Sequence, residues 1–298
     1  MNSDLPYVHC FKAMTVPCEV RLYGTGKLSH ELNQLASRVE ENTRRLEKKY
    51  NFYNRESWLS LQVNQRRNSS VELDEEAALV FSLLQDLVNA TQGVFDPSVG
   101  TLKSIMNSQP ELSYKQGFQL AQGAMGVDSW QVQNGVLFVK DKLTQFDLGG
   151  VIKEFAIDQA VEMLIESGIT SALVNFGGDI RALGSKPDGT PFQIAVLNPK
   201  KPSEAYFSLP LQDAAFTTSA HYERRFRFAD KETSHILAEA GTHPQVLSVS
   251  VMAPTALEAG AMSTALTIQP ALPVPDQFGV IFIDNQLVIH QNTEFLVQ

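Results

Sequence analysis

The alternation of apolar and polar residues predicts a strand and two helices in the first third of the chain. Residues 19–24 alternate like a half-buried strand and end at a glycine. Apolar residues then recur at intervals of three and four, which predicts a long helix that Ser29 caps and that ends near Lys49. The same spacing predicts a second helix over residues 75–91, which Gly93 ends.

The remainder of the chain mixes strand and helix signals. The dipeptide Asn134-Gly135 lies between two apolar runs and predicts a β-hairpin. A central helix is predicted over residues 151–166 with Gly168 as its stop, and Thr255 is the predicted N-cap of a later helix. Further strands are predicted at residues 171–174, 192–196, 206–209, 249–254, 278–283 and 286–290.

Composition narrows the class of protein. With 298 residues, of which 43% are apolar and 19% charged, the chain can bury a large core. A net charge of −9 without a basic stripe argues against a nucleic-acid partner. No apolar run is long enough to span a bilayer, and the first residues lack the parts of a signal peptide. We therefore expect a cytoplasmic protein with no membrane partner.

Two Gly-Gly pairs are the strongest local signals for a ligand. Gly149-Gly150 follows Asp147 and opens the central helix, while Gly177-Gly178 precedes Asp179 after a strand. Glycine lets backbone approach a ligand closely, and a helix N-terminus presents unpaired N–H groups that suit a phosphate. Lys153 follows the first pair and adds a positive charge. The alternative is that both pairs are ordinary tight turns of an α/β unit.

Other residues could complete a nucleotide site. The loop over residues 50–60 is rich in aromatic side chains, which either stack on a flat ligand or roof a core. Residues 215–222 are predicted to be a strand that runs into a hydroxyl-rich turn, and His235 is either a base or a packing residue. Walker loops and G-x-G-x-x-G are absent. The residues alone favour a phosphorylated, aromatic ligand, on which a Mg²⁺ ion and a positioned base could carry out phosphoryl or nucleotidyl transfer.

The order of these motifs resembles the ApbE family, the FAD:protein FMN transferases, over most of the chain. Residues 53–60 are similar to the family's S-T-Y-R-x-x-S-x-L-S loop, and residues 95–100 to its F-D-P-T-V-G. Residues 147–158, D-L-G-G-V-I-K-E-F-A-I-D, resemble D-L-G-G-I-A-K-G-Y-A-V-D. Shorter segments resemble N-x-G-G-E/D, T-S-G, S-H-I and E-A-D-A-x-x-T, at residues 175–179, 218–219, 234–236 and 258–264.

The resemblance implies a fold and an activity. The fold would be α+β, with mixed sheets, flanking helices and two interlocked subdomains within a single domain of residues 1–298. Family members bind FAD, use Mg²⁺ to split its pyrophosphate, place FMN on a threonine of an acceptor flavoprotein and release AMP. The expected partners are therefore FAD, or a related nucleotide, and an acceptor flavoprotein.

The residues that match the family motifs carry its roles as expectations. Lys153 and the Gly149-Gly150 pair would lie at the pyrophosphate, Asp179 at the adenosine end and Tyr53 in the flavin pocket. His235 would be the base for the acceptor hydroxyl. The metal ligands would be the backbone carbonyl of Ile152 and the hydroxyl of Thr264, and the other cofactor-binding candidates are Asn175, Gly178, Thr218 and Ser219.

Several residues depart from the family pattern. Gly260 stands where the family has a metal-binding aspartate, and Glu154 stands where it has a glycine. Ala220 replaces the glycine after Thr-Ser, and Ala238-Glu239 replaces an acid–proline pair. Because Mg²⁺ prefers carboxylate oxygen, the loss at Gly260 affects the metal site. If the pocket is otherwise like the family's, Gly260→Asp is expected to strengthen metal binding.

Three hypotheses follow from these matches and departures. The first is an active FMN transferase with a rebuilt metal site. The second is a non-catalytic homologue that binds a flavin or another nucleotide and has lost the metal site. The third is an interaction protein that keeps the fold and binds no ligand.

Overall fold

Helices and antiparallel strands alternate along the chain. The computed structural model describes residues 5–24, 26–220, 225–227, 232–234 and 246–292. The helices in this part of the chain are α1 (Ser29–Tyr50), α2 (Glu75–Ala90), α3 (Gly100–Ser108), α4 (Tyr114–Ala121), α5 (Ile152–Glu166) and α6 (Ala256–Ile268). The strands are β1 (Tyr7–Ala13), β2 (Val16–Leu22), β3 (Ser70–Glu72), β4 (Trp130–Gln133), β5 (Val136–Val139), β6 (Ala172–Phe176), β7 (Asp179–Leu183), β8 (Phe192–Asn198), β9 (Lys201–Leu211), β10 (Ala215–Ala220), β11 (Arg225–Arg227), β12 (Glu232–Ser234), β13 (Val246–Ala253), β14 (Gly279–Asp284) and β15 (Ile289–Gln291).

An eight-stranded sheet is the centre of the fold. Its strand order is β1-β2-β6-β7-β10-β13-β14-β15, beside smaller sheets β3-β5-β4, β8-β9 and β11-β12. The α+β class predicted from the sequence is confirmed. Every strand pair in the described residues is antiparallel, so strand direction is not mixed within these sheets. The division into two interlocked subdomains stays a prediction.

The two faces of the main sheet are covered by different elements. Helices α1, α5 and α6 pack on one face, because residues such as Val174 on β6 and Val251 on β13 point into the larger core cluster. The β8–β9 hairpin covers the other face, where Leu173, Ile281 and Ile194 belong to a second core cluster. Alternate residues of one strand thus enter different cores, as the period of two in a strand requires.

Helix α6 is almost wholly buried, which brings its small polar residues into the interior. Thr255 caps it as predicted: the Thr255 hydroxyl accepts from the Glu258 N–H, and the Glu258 carboxylate accepts from the Thr255 hydroxyl at 2.7 Å. Most residues of α6 are small or apolar on every side of the helix, and such a helix packs within a core. Across the described residues, no helix is both long and apolar enough to cross a membrane.

The structure corrects two predicted details and adds three elements. Leu28, rather than Ser29, is the N-cap of α1, and the Glu31 carboxylate accepts a hydrogen bond from the Leu28 N–H at 2.8 Å. The hydroxyl residues Thr217–Ser219 lie within β10 and not in a turn, because each pairs with a residue of β13. Strand β1 and helices α3 and α4 were not predicted; β1 pairs with β2 through a tight turn.

Candidate functional site

One large cavity lies where several distant parts of the chain meet. Its volume is about 580 Å³, within the usual range of roughly 300–1,000 Å³ for small-molecule sites. Both glycine pairs and α6 contribute to its wall. The predicted site residues that line it are Tyr53, Gly149, Gly150, Lys153, Asp179, Thr218, Ser219 and Thr264.

Asp147 shapes the first glycine pair. Its Oδ1 accepts a hydrogen bond from the Gly149 N–H at 2.9 Å, and its Oδ2 accepts one from Lys103 Nζ at 2.6 Å. Neither Gly149 nor Gly150 has a positive φ. The backbone conformation therefore does not require glycine here. What the pair provides is a turn without side chains immediately before α5, open to the cavity.

The segment after α2 packs tightly against this corner. A Cβ at Gly100 would lie 2.7 Å from the Gln145 carbonyl oxygen and 2.8 Å from the Asp147 nitrogen, so only glycine fits. The Asp96 carboxylate, which also lines the cavity, accepts hydrogen bonds from the Ser98 N–H at 2.8 Å and the Gly126 N–H at 2.9 Å. Burial raises the pKa of Asp96, and these hydrogen bonds oppose that rise.

The second glycine pair is a tight turn between β6 and β7. Gly177 and Gly178 have φ of +66° and +99°, and a Cβ at Gly177 would lie 2.7 Å from Val16 Cβ. The Asn175 Oδ1 accepts a hydrogen bond from the Gly178 N–H at 2.9 Å. Asn175 and Gly178 are not among the lining residues, so they shape the turn that presents Asp179 to the cavity.

Lys153 joins the two corners. Its Nζ donates to Glu154 Oε1 at 2.8 Å and to the Asp179 carboxylate. The other Asp179 oxygen accepts from the Thr218 N–H at 3.3 Å. Hydrogen bonds between charged groups are among the stronger ones, so this bridge fixes the start of α5 against the β6–β7 turn.

Hydroxyl groups form the side of the cavity next to α6. The Ser219 Oγ lies 2.9 Å from Ser263 Oγ and 3.3 Å from Thr264 Oγ1. The Thr218 Oγ1 lies 2.8 Å from Ser250 Oγ and lines the cavity as well. Because Glu258 is engaged at the N-cap, its carboxylate does not replace a ligand missing from Gly260.

Asp158 fixes α6 relative to α5. One carboxylate oxygen accepts from the Ala256 N–H at 2.8 Å and from Arg181, and the other accepts from the Leu257 N–H at 2.9 Å. A carboxylate at the N-terminus of a helix suits its unpaired N–H groups and its dipole. Burial raises the pKa of Asp158 to about 6, although Arg181 and both N–H groups oppose the rise.

The described residues do not form a complete metal site at this cavity. No group of three or more His, Cys, Asp or Glu side chains in the described ranges could hold a metal ion. Ile152 is 6% exposed and is not among the lining residues. The oxygen donors at the cavity, the Thr264 hydroxyl and the nearby carboxylates, nevertheless suit a hard cation such as Mg²⁺.

The expected effect of Gly260→Asp needs a correction. A Cβ at Gly260 would lie 2.7 Å from Cγ of Glu154, closer than real side chains approach each other. The Glu154 side chain therefore already fills the space beside Gly260, and the single substitution Gly260→Asp would displace that side chain. Gly260→Asp by itself is not expected to strengthen metal binding.

Three further residues complete the comparison with the sequence predictions. His235 lies outside the described residues, so its role as a base stays a prediction. Lys103, which pairs with Asp147 at the cavity wall, was overlooked because α3 was not predicted. Tyr53 is 63% exposed at the cavity, with its ring 5.2 Å from that of Phe52, so its part of the aromatic loop does not roof a core.

The fold and the cavity define an α+β protein built around one large cleft, and comparison with known proteins gives its family. Residues 14–273 match the ApbE family. The chain is 25% identical over 311 aligned residues to an FAD:protein FMN transferase of Haemophilus influenzae, covering 95% of this chain and 89% of that protein. It is 27% identical over 257 residues to one of Chlamydia pneumoniae, covering 82% and 79%.

Solved structures agree on the fold. The ApbE protein of Thermotoga maritima superposes with a TM-score of 0.84 at 24% identity, covering 97% of this chain and 98% of that one. The flavin transferase ApbE of Vibrio cholerae gives a TM-score of 0.80 at 19% identity, covering 98% of each. The chain belongs to the ApbE family and is a transferase enzyme.

Proposed function

We propose that this protein is an FAD:protein FMN transferase. It binds FAD in the cavity and transfers FMN to a threonine hydroxyl of an acceptor flavoprotein. The relatives in Haemophilus influenzae and Chlamydia pneumoniae carry this name. The observation that carries the proposal is the convergence of both glycine pairs and Thr264 on one cavity.

The geometry supports the proposed positions of the two ends of FAD. The glycine turn just before α5 and Lys153 suit the pyrophosphate, because N–H groups and an ammonium group both attract anions. Asp179, held by Lys153 and the Thr218 N–H, would accept hydrogen bonds at the adenosine end. Tyr53 at the rim would contact the flavin ring.

The proposed reaction exchanges one phosphorus–oxygen bond for another. The acceptor threonine oxygen bonds to the phosphorus of the FMN half, the pyrophosphate bond breaks, and AMP leaves. The threonine proton passes to a base, for which His235 stays the candidate. When bound, a divalent cation would neutralise phosphate charge, with Thr264 and the carbonyl of Ile152 as candidate ligands. The chain itself would position FAD so that the threonine oxygen attacks the FMN phosphorus in line with the departing oxygen of AMP.

A second candidate function is a homologue that binds flavin without transferring it. The observation that favours it is Gly260, which offers no carboxylate where the family has one. Titration with FAD, with and without Mg²⁺, followed by an assay for AMP release with a threonine-bearing acceptor, separates the two. Metal-dependent binding with AMP release supports the transferase, and metal-indifferent binding without release supports the second candidate.

Lys153→Met tests the proposed position of the pyrophosphate. Loss of a charged hydrogen bond of roughly 1.5–3 kcal/mol should weaken FAD binding by about 10- to 100-fold. The matched control is Lys142→Met, because Lys142 is exposed and does not line the cavity. Isothermal titration calorimetry with FAD measures both. Equal affinity in the two variants would place the pyrophosphate away from Lys153.

A further inference from the structure

Glu154 is a buried acid with an unused oxygen. The residue is 5% exposed and lines the cavity from the first turn of α5. Its Oε1 accepts from Lys153, but its Oε2 is buried and has no hydrogen-bond partner among the described residues. Burying a charged oxygen without a partner is costly, so such an atom indicates a missing cation or donor.

The Glu154 side chain occupies the space that Gly260 leaves empty. A Cβ at Gly260 would lie 2.7 Å from Cγ, 3.2 Å from Cδ and 3.4 Å from Oε1 of Glu154. Gly260 and Thr264 are four residues apart on α6, so they share a face at a separation of about 6 Å along the axis. The Glu154 carboxylate thus lies against the face of α6 that carries the Thr264 hydroxyl.

The net negative charge of the cavity lining also favours the binding of a cation. Among the described residues, the lining contains four carboxylates, of Asp96, Asp147, Glu154 and Asp179, and two lysines, Lys103 and Lys153, which together give a formal charge of −2. Each lysine is already paired with a carboxylate. An anionic ligand such as a pyrophosphate would be repelled by the excess negative charge unless a cation entered with it.

We propose that Glu154 supplies, from α5, the carboxylate oxygen of a divalent-cation site beside Thr264, and that Gly260 is the small residue that admits it. This deepens the proposed function, because the cation would face the phosphates of FAD. The site itself can be measured without FAD.

The first experiment titrates Mn²⁺ alone into metal-free protein, by calorimetry and by the electron paramagnetic resonance signal of free Mn²⁺. The native protein should bind one ion, and Glu154→Gln should bind it at least about 10-fold more weakly. Glu166→Gln is the matched control, because Glu166 is an exposed acid at the far end of α5. Absence of Mn²⁺ binding in the native protein, or equal affinity in Glu154→Gln, would overturn the proposal.

Thermal unfolding shows whether Glu154→Gln acts through the metal or through folding. Without metal, the variant should have a Tm at least equal to that of the native protein, because Glu154 Oε2 has no partner to lose and Lys153 keeps its ion pair with Asp179. Mn²⁺ should then raise the Tm of the native protein and of Glu166→Gln, but not that of Glu154→Gln. A variant that is destabilised without metal and still gains from Mn²⁺ would contradict the proposal.

A swap of the two residues tests whether they serve the same ion. Glu154→Gly should lose Mn²⁺ binding, and adding Gly260→Asp to it should restore binding to within about 10-fold of the native protein. Gly260→Asp alone should not strengthen binding, because its Cβ meets Glu154. A folded double variant as weak as Glu154→Gly would overturn the shared site. If Mn²⁺ binds as expected but FAD does not, the metal proposal survives and the transferase proposal fails.

Discussion

Gly149-Gly150 and Gly177-Gly178 are the same dipeptide beside an acid, yet the structure uses them in different ways. Gly177 and Gly178 both have a positive φ, and Gly177 also lies too close to Val16 for a side chain. Gly149 and Gly150 have no positive φ; a Cβ at Gly149 would lie 3.0 Å from Asp147 Oδ1, but a Cβ at Gly150 would meet only the Phe95 ring at 3.9 Å. The second pair is therefore required by the fold, whereas Gly150 of the first pair leaves room at the cavity.

This difference separates structural glycines from those that serve a ligand. A glycine with a positive φ and a close neighbour should cost stability when it is replaced, whether or not a ligand binds. A glycine with ordinary φ and open space should cost little stability, but its side chain would enter the cavity. Replacement by alanine should therefore lower the stability at a glycine of the first kind and the ligand affinity at a glycine of the second kind.

The largest effect is expected for Gly177→Ala. The new Cβ would lie 2.7 Å from Val16 Cβ on a backbone with φ of +66°. Left-handed strain and overpacking together should lower the free energy of unfolding by about 3 kcal/mol. Urea unfolding measures this loss. A loss no larger than that of Gly178→Ala would mean that the contact with Val16 is not made.

Turn chemistry decided which elements could be predicted. Asn134 and Gly135 have φ of 51° and 74°, and their dipeptide correctly predicted the β4–β5 hairpin. Met14 and Thr15 adopt nearly the same values, 50° and 67°, at the turn between β1 and β2. Because neither residue type favours that conformation, the sequence contains no turn signal there, and β1 was missed.

The site was predictable where one short segment defines it. The start of α5, predicted at residue 151 and found at residue 152, the acid–glycine corners and the Thr255 cap all depend on neighbouring residues, and the sequence predicted them. The relation between Glu154 and Gly260 could not be read in the same way, since these residues are 106 positions apart and meet only through the packing of α5 on α6. In the sequence, Glu154 and Gly260 are two separate departures from the family pattern, whereas in the structure the two residues are in contact.

Gly178→Ala should have an intermediate effect on stability. Its φ is +99°, but nothing lies within 4 Å of a Cβ there, so only backbone strain applies. We expect a loss of about 1–2 kcal/mol in the free energy of unfolding. Gly189→Ala is the matched control, with φ of +81° and open space around its Cβ. An unchanged stability in Gly178→Ala, beside a loss in Gly189→Ala, would show that the β6–β7 turn can adopt another conformation.

Gly150→Ala should have the smallest effect on stability and a clear effect on binding. With ordinary φ and no contact shorter than 3.9 Å, the variant should keep its free energy of unfolding within about 1 kcal/mol of the native value. Its methyl group would nevertheless obstruct the approach of a phosphate to the first turn of α5, so FAD should bind about 10-fold more weakly. Calorimetric titration with FAD and urea unfolding measure the two quantities.

Gly123→Ala is the control for this last variant, because Gly123 is exposed, has open space around its Cβ and does not line the cavity. It should change neither stability nor FAD binding. If Gly150→Ala binds FAD as tightly as Gly123→Ala does, the phosphates do not approach the N-terminus of α5. In that case the first glycine pair would have no role in binding, and the contrast with Gly177-Gly178 would reduce to backbone conformation alone.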